Sequence, residues 1–355
     1  MVDFDLIDVV CNGVKHKNCP IKLSSVYCDG FKSKSKIGVF SHFHSDHISA
    51  ITECIGEYDV LITHPITFEA ITAIKPGFKL REQWVTLDGN KYKTNFGTIS
   101  LLKANHIPGS SQVHVETDGS SLLYSGDFNY PDIEIQKADH LVLDATHGDP
   151  SFDGKTDRKS VMNRMFEDVK EKIFSDKPVI IYSSSGTLQE LIRHFEVGDT
   201  GSKLSHDVEF VADKKQKDIL LKIFKHDKNE FRNIVDYDSY EYWDLISSNK
   251  QCVIFLTNDV IVDSSLSNYY KIMVDRFKFT EDKPAIIPFE GGCRYNLASH
   301  ASIENILNYV GDVNPKTVVT DFSRSTYAPI LAKLIHLKYP EINAYPRGQN
   351  IKNVR

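Results

Sequence analysis

Apolar residues fall along the chain in short runs separated by turn formers. IGVF (37–40), VLIT (60–63), ISLL (99–102), SLLYS (121–125) and HLVLD (140–144) are too short for helices and predict buried strands. Between Thr98 and Asp127 such runs succeed one another with no helical pattern, which predicts an antiparallel or mixed sheet. From about Arg158 the rhythm changes. A helix over about 158–175 leads to PVIIYSSSG, a helix over TLQELIRHF, the strand VEFVAD and a lysine-rich helix from Lys214. Next come QCVIFLTND, a helix near 265–276, and AIIPFEGG, an alternation of the parallel α/β kind. NILNYVGD, KTVVTD and YAPILAKLIHL close the chain as helix, strand and helix. Without repeats, low-complexity tracts or long Gly/Ser linkers, the domains are expected to be interleaved rather than strung out.

The 355 residues are 41% hydrophobic and 25% charged, which excludes disordered, collagen-like and coiled-coil proteins. That length predicts about two domains. Forty-two Lys and Arg against 48 Asp and Glu leave a net charge of −6. Any grip on nucleic acid must therefore rest on a local patch or a metal, not on bulk charge. No apolar run reaches the ~18 residues of a membrane span, and MVDFDLIDVV lacks the basic start of a signal peptide. Six scattered cysteines do not read as a disulfide framework. The expectation is a soluble protein of a reducing cytoplasm, or of the nucleus in a eukaryote, with no membrane partner. Cys11, His16, Cys19 and Cys28 offer donors for a structural zinc, but their spacing is not a C-x-x-C knuckle and free thiols are expected.

The chemistry concentrates in VFSHFHSDHISA, where an apolar strand ends at Ser41 and His42, His44, Asp46 and His47 follow within six residues. A tight loop can fold such a set around two adjacent cations, with His42 and His44 toward one and Asp46 and His47 toward the other. Imidazole and carboxylate donors suit Zn²⁺.

The pattern H-x-H-x-D-H after a strand resembles the signature of the metallo-β-lactamase fold. The resemblance implies a further His and a bridging Asp, and LLKANHIPGS and LLYSGDFN supply His106 and Asp127 in the right order. HLVLDATHGDP, with Asp144, and CRYNLASHAS, with His300, resemble two extra motifs of the β-CASP nucleases within that fold. YSSSGTLQELI is similar to the entry of their cap domain, with Gly186, Gln189 and Glu190 kept and Thr187 and Leu188 departing. The resemblance implies an α/β protein: a metallo-β-lactamase αββα sandwich over 1–149 and 296–355, carrying an inserted α/β β-CASP cap over 150–295. It covers most of the chain.

The implied function is zinc-dependent phosphodiester hydrolysis. One metal would take His42, His44 and His106, its neighbour Asp46 and His47, with Asp127 bridging. His300 would give a proton to the leaving oxygen and Asp144 would orient it, so Asp46, His300 and Asp144 are the catalytic candidates. RNA-processing members carry another metal-binding His near the C-terminus; here KTVVTDFSRS presents Asp321, which becomes a seventh candidate ligand, or Phe322 if the register slips by one. A carboxylate there would favour Mn²⁺ or Mg²⁺ at the second site more than imidazole does. That departure, and the local wording around His42 and His106, resemble the Artemis-like DNA branch. The leading expectation is a 5′-end-directed DNA exonuclease of repair or processing. The alternative is an RNA exo- or endonuclease of the mRNA 3′-end processing or RNase J type. A small-molecule hydrolase and an inactive scaffold are the remaining readings, and the filled ligand set speaks against the scaffold.

Ser183, Ser184, Ser185 and Gly186 at a predicted helix start are candidates for a terminal phosphate, against the plainer reading of a helix cap. Lys214, Lys215, Lys217, Lys222 and Lys225 read better as a solvated face than as a backbone-tracking stripe. Arg347, Lys352 and Arg355 could contact phosphate or form a frayed end. His147 is a candidate substrate contact, whereas His64, His114 and His140 read as packed or surface residues.

Overall fold

The computed structural model describes residues 4–11, 19–76, 83–152, 158–197, 204–205, 207–225, 231–260, 264–275 and 285–348. The chain forms two units, Met1–Asp153 with Ser299–Arg355, and Gly154–Ala298.

The first unit opens with a six-stranded sheet: β1 (Ile7–Val9), β2 (Ile21–Leu23), β3 (Val26–Cys28), β4 (Ile37–Phe40), β5 (Val60–Thr63) and β6 (Trp84–Thr86), in that spatial order. Strands β1 to β3 form an antiparallel meander, and β3 to β6 run parallel. Helices α1 (Ile51–Cys54) and α2 (Pro65–Ile74) make the crossovers. All four residues of IGVF in β4 are buried, which is why that strand reads as an unbroken apolar run. The β1–β2 register, with Ile7 facing Leu23 and Val9 facing Ile21, puts Cys11 opposite Cys19 when continued. The two form a disulfide with Cα atoms 4.8 Å apart. This corrects the expectation of free thiols at those positions: neighbours across a hairpin meet although eight residues separate them. Cys28, Cys54, Cys252 and Cys293 are free and buried, and His16 lies outside the described residues.

A second sheet begins with β7 (Lys91–Thr94), β8 (Gly97–Lys103), β9 (Ser111–Thr117), β10 (Ser121–Tyr124) and β11 (His140–Leu143). Strands β7 to β10 are antiparallel and β11 joins β10 in parallel, a mixed sheet like the one expected from the helix-free stretch after Thr98.

The second unit alternates α3 (Arg158–Phe174), β12 (Val179–Ser183), α4 (Thr187–Val197), β13 (Glu209–Ala212), α5 (Lys214–Ile223), β14 (Ile234–Asp236), α6 (Tyr240–Ser247), β15 (Cys252–Thr257), β16 (Tyr270–Asp275), β17 (Ile286–Phe289) and β18 (Gly292–Asn296). Its sheet order is β14-β13-β15-β12-β16-β18-β17, parallel except for β17. Val161, Met165, Phe166, Val169 and Ile173 form the buried stripe of α3 at helical spacing. The helix expected near 265–276 is instead strand β16 after a short turn. Ile272 and Val274 point inward between partly exposed neighbours, a period of two that β-branched residues sustain beside β12.

The chain returns to the first unit with α7 (Ile303–Val313), β19 (Thr317–Asp321), α8 (Ala328–Lys338) and β20 (Asn343–Arg347). β19 and β20 complete the second sheet in parallel beside β11. One apolar core joins the two sheets, with Val26, Val39 and Ile62 from the first and Ile99, Val113, Val115, Val142 and Val319 from the second. Another joins Leu123, Leu141 and Val318 to Ile306, Tyr309 and Val310 of α7 and Leu331 and Ile335 of α8. The Tyr309 hydroxyl buried there donates to Gln112 Oε1, while Gln112 Nε2 donates to the carbonyls of Lys103 and Glu134, so the polar atoms are satisfied.

Candidate metal centre

Loops at the strand ends of the two facing sheets carry the clustered residues. β4 delivers Ser41 and the His42–His47 loop, which folds back as His47 and Ile48 donate their amides to the His44 carbonyl. The Ser111 amide donates to the Ser41 carbonyl, tying that loop to the β8–β9 turn that carries His106. Asp127 follows β10 through Gly126, whose φ is +55°; a Cβ there would lie 2.7 Å from the Ser111 carbonyl oxygen. Only glycine fits such a turn, so Gly126 sets where Asp127 stands.

Asp127 Oδ2 is surrounded by imidazole nitrogens: His47 Nε2 at 3.3 Å, His42 Nε2 and His106 Nε2 each at 3.7 Å, and His300 Nε2 at 3.8 Å. The rings of His42, His44 and His106 stand 4.8–4.9 Å apart in mutually steep orientations. His44 Nδ1 and His106 Nε2 are 3.0 Å apart, which two lone pairs tolerate only with a proton or cation between them. A tetrahedral zinc with nitrogen ligands at ~2.0–2.1 Å puts its donors roughly 3.3 Å apart, within the spread seen here. The ligand atoms of His42, His44, His106 and Asp127 all lie within 4.8 Å of one another. His42 Nε2 is buried and makes no hydrogen bond. The donor set therefore fits a divalent cation.

The outward nitrogens decide the tautomers. His42 Nδ1–H donates to Ser41 Oγ, which donates to Asp29 Oδ2 at 2.6 Å. His47 Nδ1–H donates to Asp29 Oδ2 at 2.8 Å, and His106 Nδ1–H to the Ser299 carbonyl at 2.9 Å. His300 Nδ1–H donates to Asp144 Oδ2 at 2.8 Å. In His42 and His106 the outer bond leaves an Nε2 lone pair turned inward, the arrangement by which metal-binding imidazoles are held, and Nε2 of His47 and His300 also faces Asp127.

Electrostatics agree. Burial, then the imidazoles of His47 and His44, hold His42 well below its ordinary pKa, and burial with His300 and His44 does the same to His106. Both are thus neutral, the form that binds a metal. Burial opposes the charged form of His47, but Asp127 and Asp29 outweigh it and raise its pKa well above the usual value. Burial pushes Asp46 up, yet His47, His44 and Arg324 bring its carboxyl down to about 2.

The structure thus brings together His42, His44, His47, His106, Asp127, Asp144 and His300, with Asp46 Oδ2 3.8 Å from His47 Nε2. His147 is buried with its ring 5.3 Å from that of His300. Asp321 has other partners: Oδ1 accepts from the amide and hydroxyl of Ser323, and Oδ2 accepts from Arg324. In the second unit, the phosphate candidates are engaged by their own turn and by α5. The Gly186 amide donates to Gln189 Oε1, Ser185 Oγ donates to Gln216 Oε1, and Ser184 Oγ donates to Thr187 Oγ1 at 3.5 Å. Lys217 pairs with Asp236, and Arg347 with Asp8; Lys352 and Arg355 lie outside the described residues. His64 caps α2 by accepting the Ile66 amide. Asp29, which holds His47 directly and His42 through Ser41, went unnoticed in the sequence because an Asp-Gly pair after a short strand has the look of an ordinary turn.

The chain is thus a mixed α/β protein with a buried His/Asp cluster. No family model matches it. It is 28% identical over 177 residues to an RNase J-like protein of Methanocaldococcus jannaschii, covering 43% of this chain and 42% of that protein. Similarity to RNase aCSPSF2 of Saccharolobus solfataricus is 27% over 176 residues, 42% of this chain and 35% of the relative. DNA cross-link repair protein SNM1 of Arabidopsis thaliana is 26% identical over 167 residues, 43% of this chain and 33% of the relative. The matches span less than half of each curated relative. A solved protein of unknown function from Enterococcus faecalis shares the fold, with TM-score 0.59 and 13% identity over 90% of this chain and 81% of that one. At modest identity, the chain is similar to nucleases of the metallo-β-lactamase-fold β-CASP family.

Proposed function

We propose that the protein is a zinc-dependent nuclease that hydrolyses phosphodiester bonds, with an αββα metallo-β-lactamase core over 1–149 and 296–355 and a β-CASP cap over 150–295. The observation that carries the reading is the ring of inward Nε2 atoms around Asp127, with the Asp144-held His300 in the same ring. His42, His44, His106 and Asp127 would hold one zinc, and Asp46, His47 and Asp127 a second cation. Zinc bound there supplies Lewis-acid activation of water and neutralises charge on the phosphate. The chain's own part is to keep His42 and His106 neutral and aimed inward and to deliver a proton to the leaving oxygen from Nε2 of a charged His300. Asp144 accepts the Nδ1–H of His300, which fixes the ring and stabilises its charged form.

Among substrates, a 5′-end-directed DNA exonuclease of repair or processing is our reading. It is favoured by the absence of a histidine in KTVVTDFSRS and by the similarity to a DNA cross-link repair protein. An RNA exo- or endonuclease is the second reading, favoured by the two relatives named as RNases. Degradation of end-labelled single-stranded DNA and RNA, each with 5′-phosphate or 5′-hydroxyl and with or without chelator, tests both. Chelator-sensitive release of nucleotides from 5′-phosphorylated DNA is expected. Faster loss of RNA selects the second reading, and inertness toward every strand with zinc present removes the nuclease assignment.

A further inference from the structure

Arg324 is a buried cation that the nuclease reading leaves unused. It stands three residues beyond the end of β19, and Nη1 donates to Asp321 Oδ2 at 2.9 Å. Nη2 donates to the Asp29 carbonyl at 2.6 Å and to the Cys19 carbonyl at 3.3 Å. Three distant stretches of the first unit thus meet on one guanidinium, and a planar fork of five donors can serve such divergent acceptors where an ammonium cannot.

What Arg324 holds explains its place. Asp29 has φ +51°, a left-handed conformation that side chains other than glycine rarely adopt. Its amide donates to the Val39 carbonyl, and its carboxylate accepts from the Ser41 amide, Ser41 Oγ, His47 Nδ1 and Tyr124 Oη. The carbonyl is its one remaining backbone group, and Arg324 takes it. Ser323 donates twice to Asp321, so the counter-ion is itself fixed.

We infer that Arg324, seated by Asp321, is a positioning residue for the metal centre: it clamps Asp29 in its left-handed turn so that Asp29 can aim His47 at the Asp46 side of the site. The inference rests on the proposed metal reading. It gives Asp321 a supporting task through Arg324 rather than a place among the metal's donors. Loss of the clamp should weaken most the cation held by Asp46, His47 and Asp127, whose His47 Asp29 touches directly, and less the one held by His42, His44 and His106, whose His42 it reaches only through Ser41.

The test measures zinc per chain by mass spectrometry across a graded chelator series, for wild type, Arg324→Gln, Arg324→Lys and Asp321→Asn. The expected result is an affinity loss of about 10- to 100-fold for the weaker zinc in Arg324→Gln, the range typical of residues that orient ligands. The tighter zinc should lose less than the weaker one, Asp321→Asn should fall between wild type and Arg324→Gln, and Arg324→Lys should recover part of the loss. An equal fall at both sites, or none at either, overturns the inference. Imidazole ¹H–¹⁵N spectra of the metal-free proteins, with His47 assigned through His47→Gln, provide a readout independent of zinc. If wild type binds fewer than two zinc ions, the metal reading is what fails, and those spectra judge the inference. Wild type should show His47 protonated at Nδ1 in one ordered state and Arg324→Gln should lose that signal; identical His47 signals in both overturn it.

Discussion

Asp144→Asn isolates the contribution of the carboxylate behind His300. Asp144 Oδ2 accepts His300 Nδ1–H at 2.8 Å, and its Oδ1 accepts the Thr146 amide, so the side chain is held at both oxygens. Both partners are buried, which strengthens a charge-assisted bond. Removing the charge forfeits about 1.5–3 kcal/mol, the usual worth of a hydrogen bond to an ionised group. If that stabilisation is realised as His300 gives up its proton, turnover should fall about 10- to 100-fold at ~1.4 kcal/mol per decade. His300→Ala should lower it further, by ~10²–10⁴-fold. The double variant should be no slower than His300→Ala alone, because Asp144 has nothing left to orient. Single-turnover cleavage of a 5′-labelled single strand measures all three, alongside zinc content. Multiplicative losses, or wild-type turnover in Asp144→Asn, would refute the pairing. Since Asp127, Asp144 and His300 also lie close enough to hold an ion, loss of zinc in His300→Ala would make His300 a ligand instead.

Asp127→Ala should abolish cleavage and lower zinc affinity while the protein stays folded by circular dichroism; retained activity would remove Asp127 from the centre. Gly126→Ala forces a side chain into a left-handed turn against the Ser111 carbonyl, so a stability loss of roughly 1–3 kcal/mol in denaturant melts is expected, with a fall in zinc affinity. The Asp139 carboxyl is held down at about 2, first by Lys316 and then by the Ser121 amide, with burial opposing. A lowered carboxyl pKa stabilises the fold above the unfolded value near 4, and that contribution disappears as pH falls toward 2. Asp139→Asn should therefore cost about 1–2 kcal/mol at neutral pH after allowance for solvent screening and nothing near pH 2; a pH-independent difference counts against it. Zinc should raise the melting temperature of wild type more than that of Asp127→Ala, since only a ligand bound to the folded state stabilises it.

The strands that carry the centre were legible because they are buried on both faces: IGVF is apolar throughout, as is LVL after the partly buried His140, and a two-sided burial leaves that mark in one dimension. The candidate ligands of the His42–His47 loop were legible for a related reason, as donors to adjacent cations can come from one short loop and so stay close in sequence. His106, Asp127, Asp144 and His300 became candidates through a family resemblance, because site residues on separate loops have no spacing rule of their own. Tertiary structure alone decided the rest. Whether SNYYKIMVD coils or extends depended on an open place beside β12, and the local pattern is compatible with either. Cys11 and Cys19 pair because a hairpin register aligns them. Asp29, Asp321 and Arg324 look like ordinary turn residues in the sequence, since a group that orients a ligand is defined by the atoms it reaches across the fold. Hydrophobic burial is written into composition and period, whereas the direction of a hydrogen bond between residues three hundred positions apart is set only when the sheets close on one another.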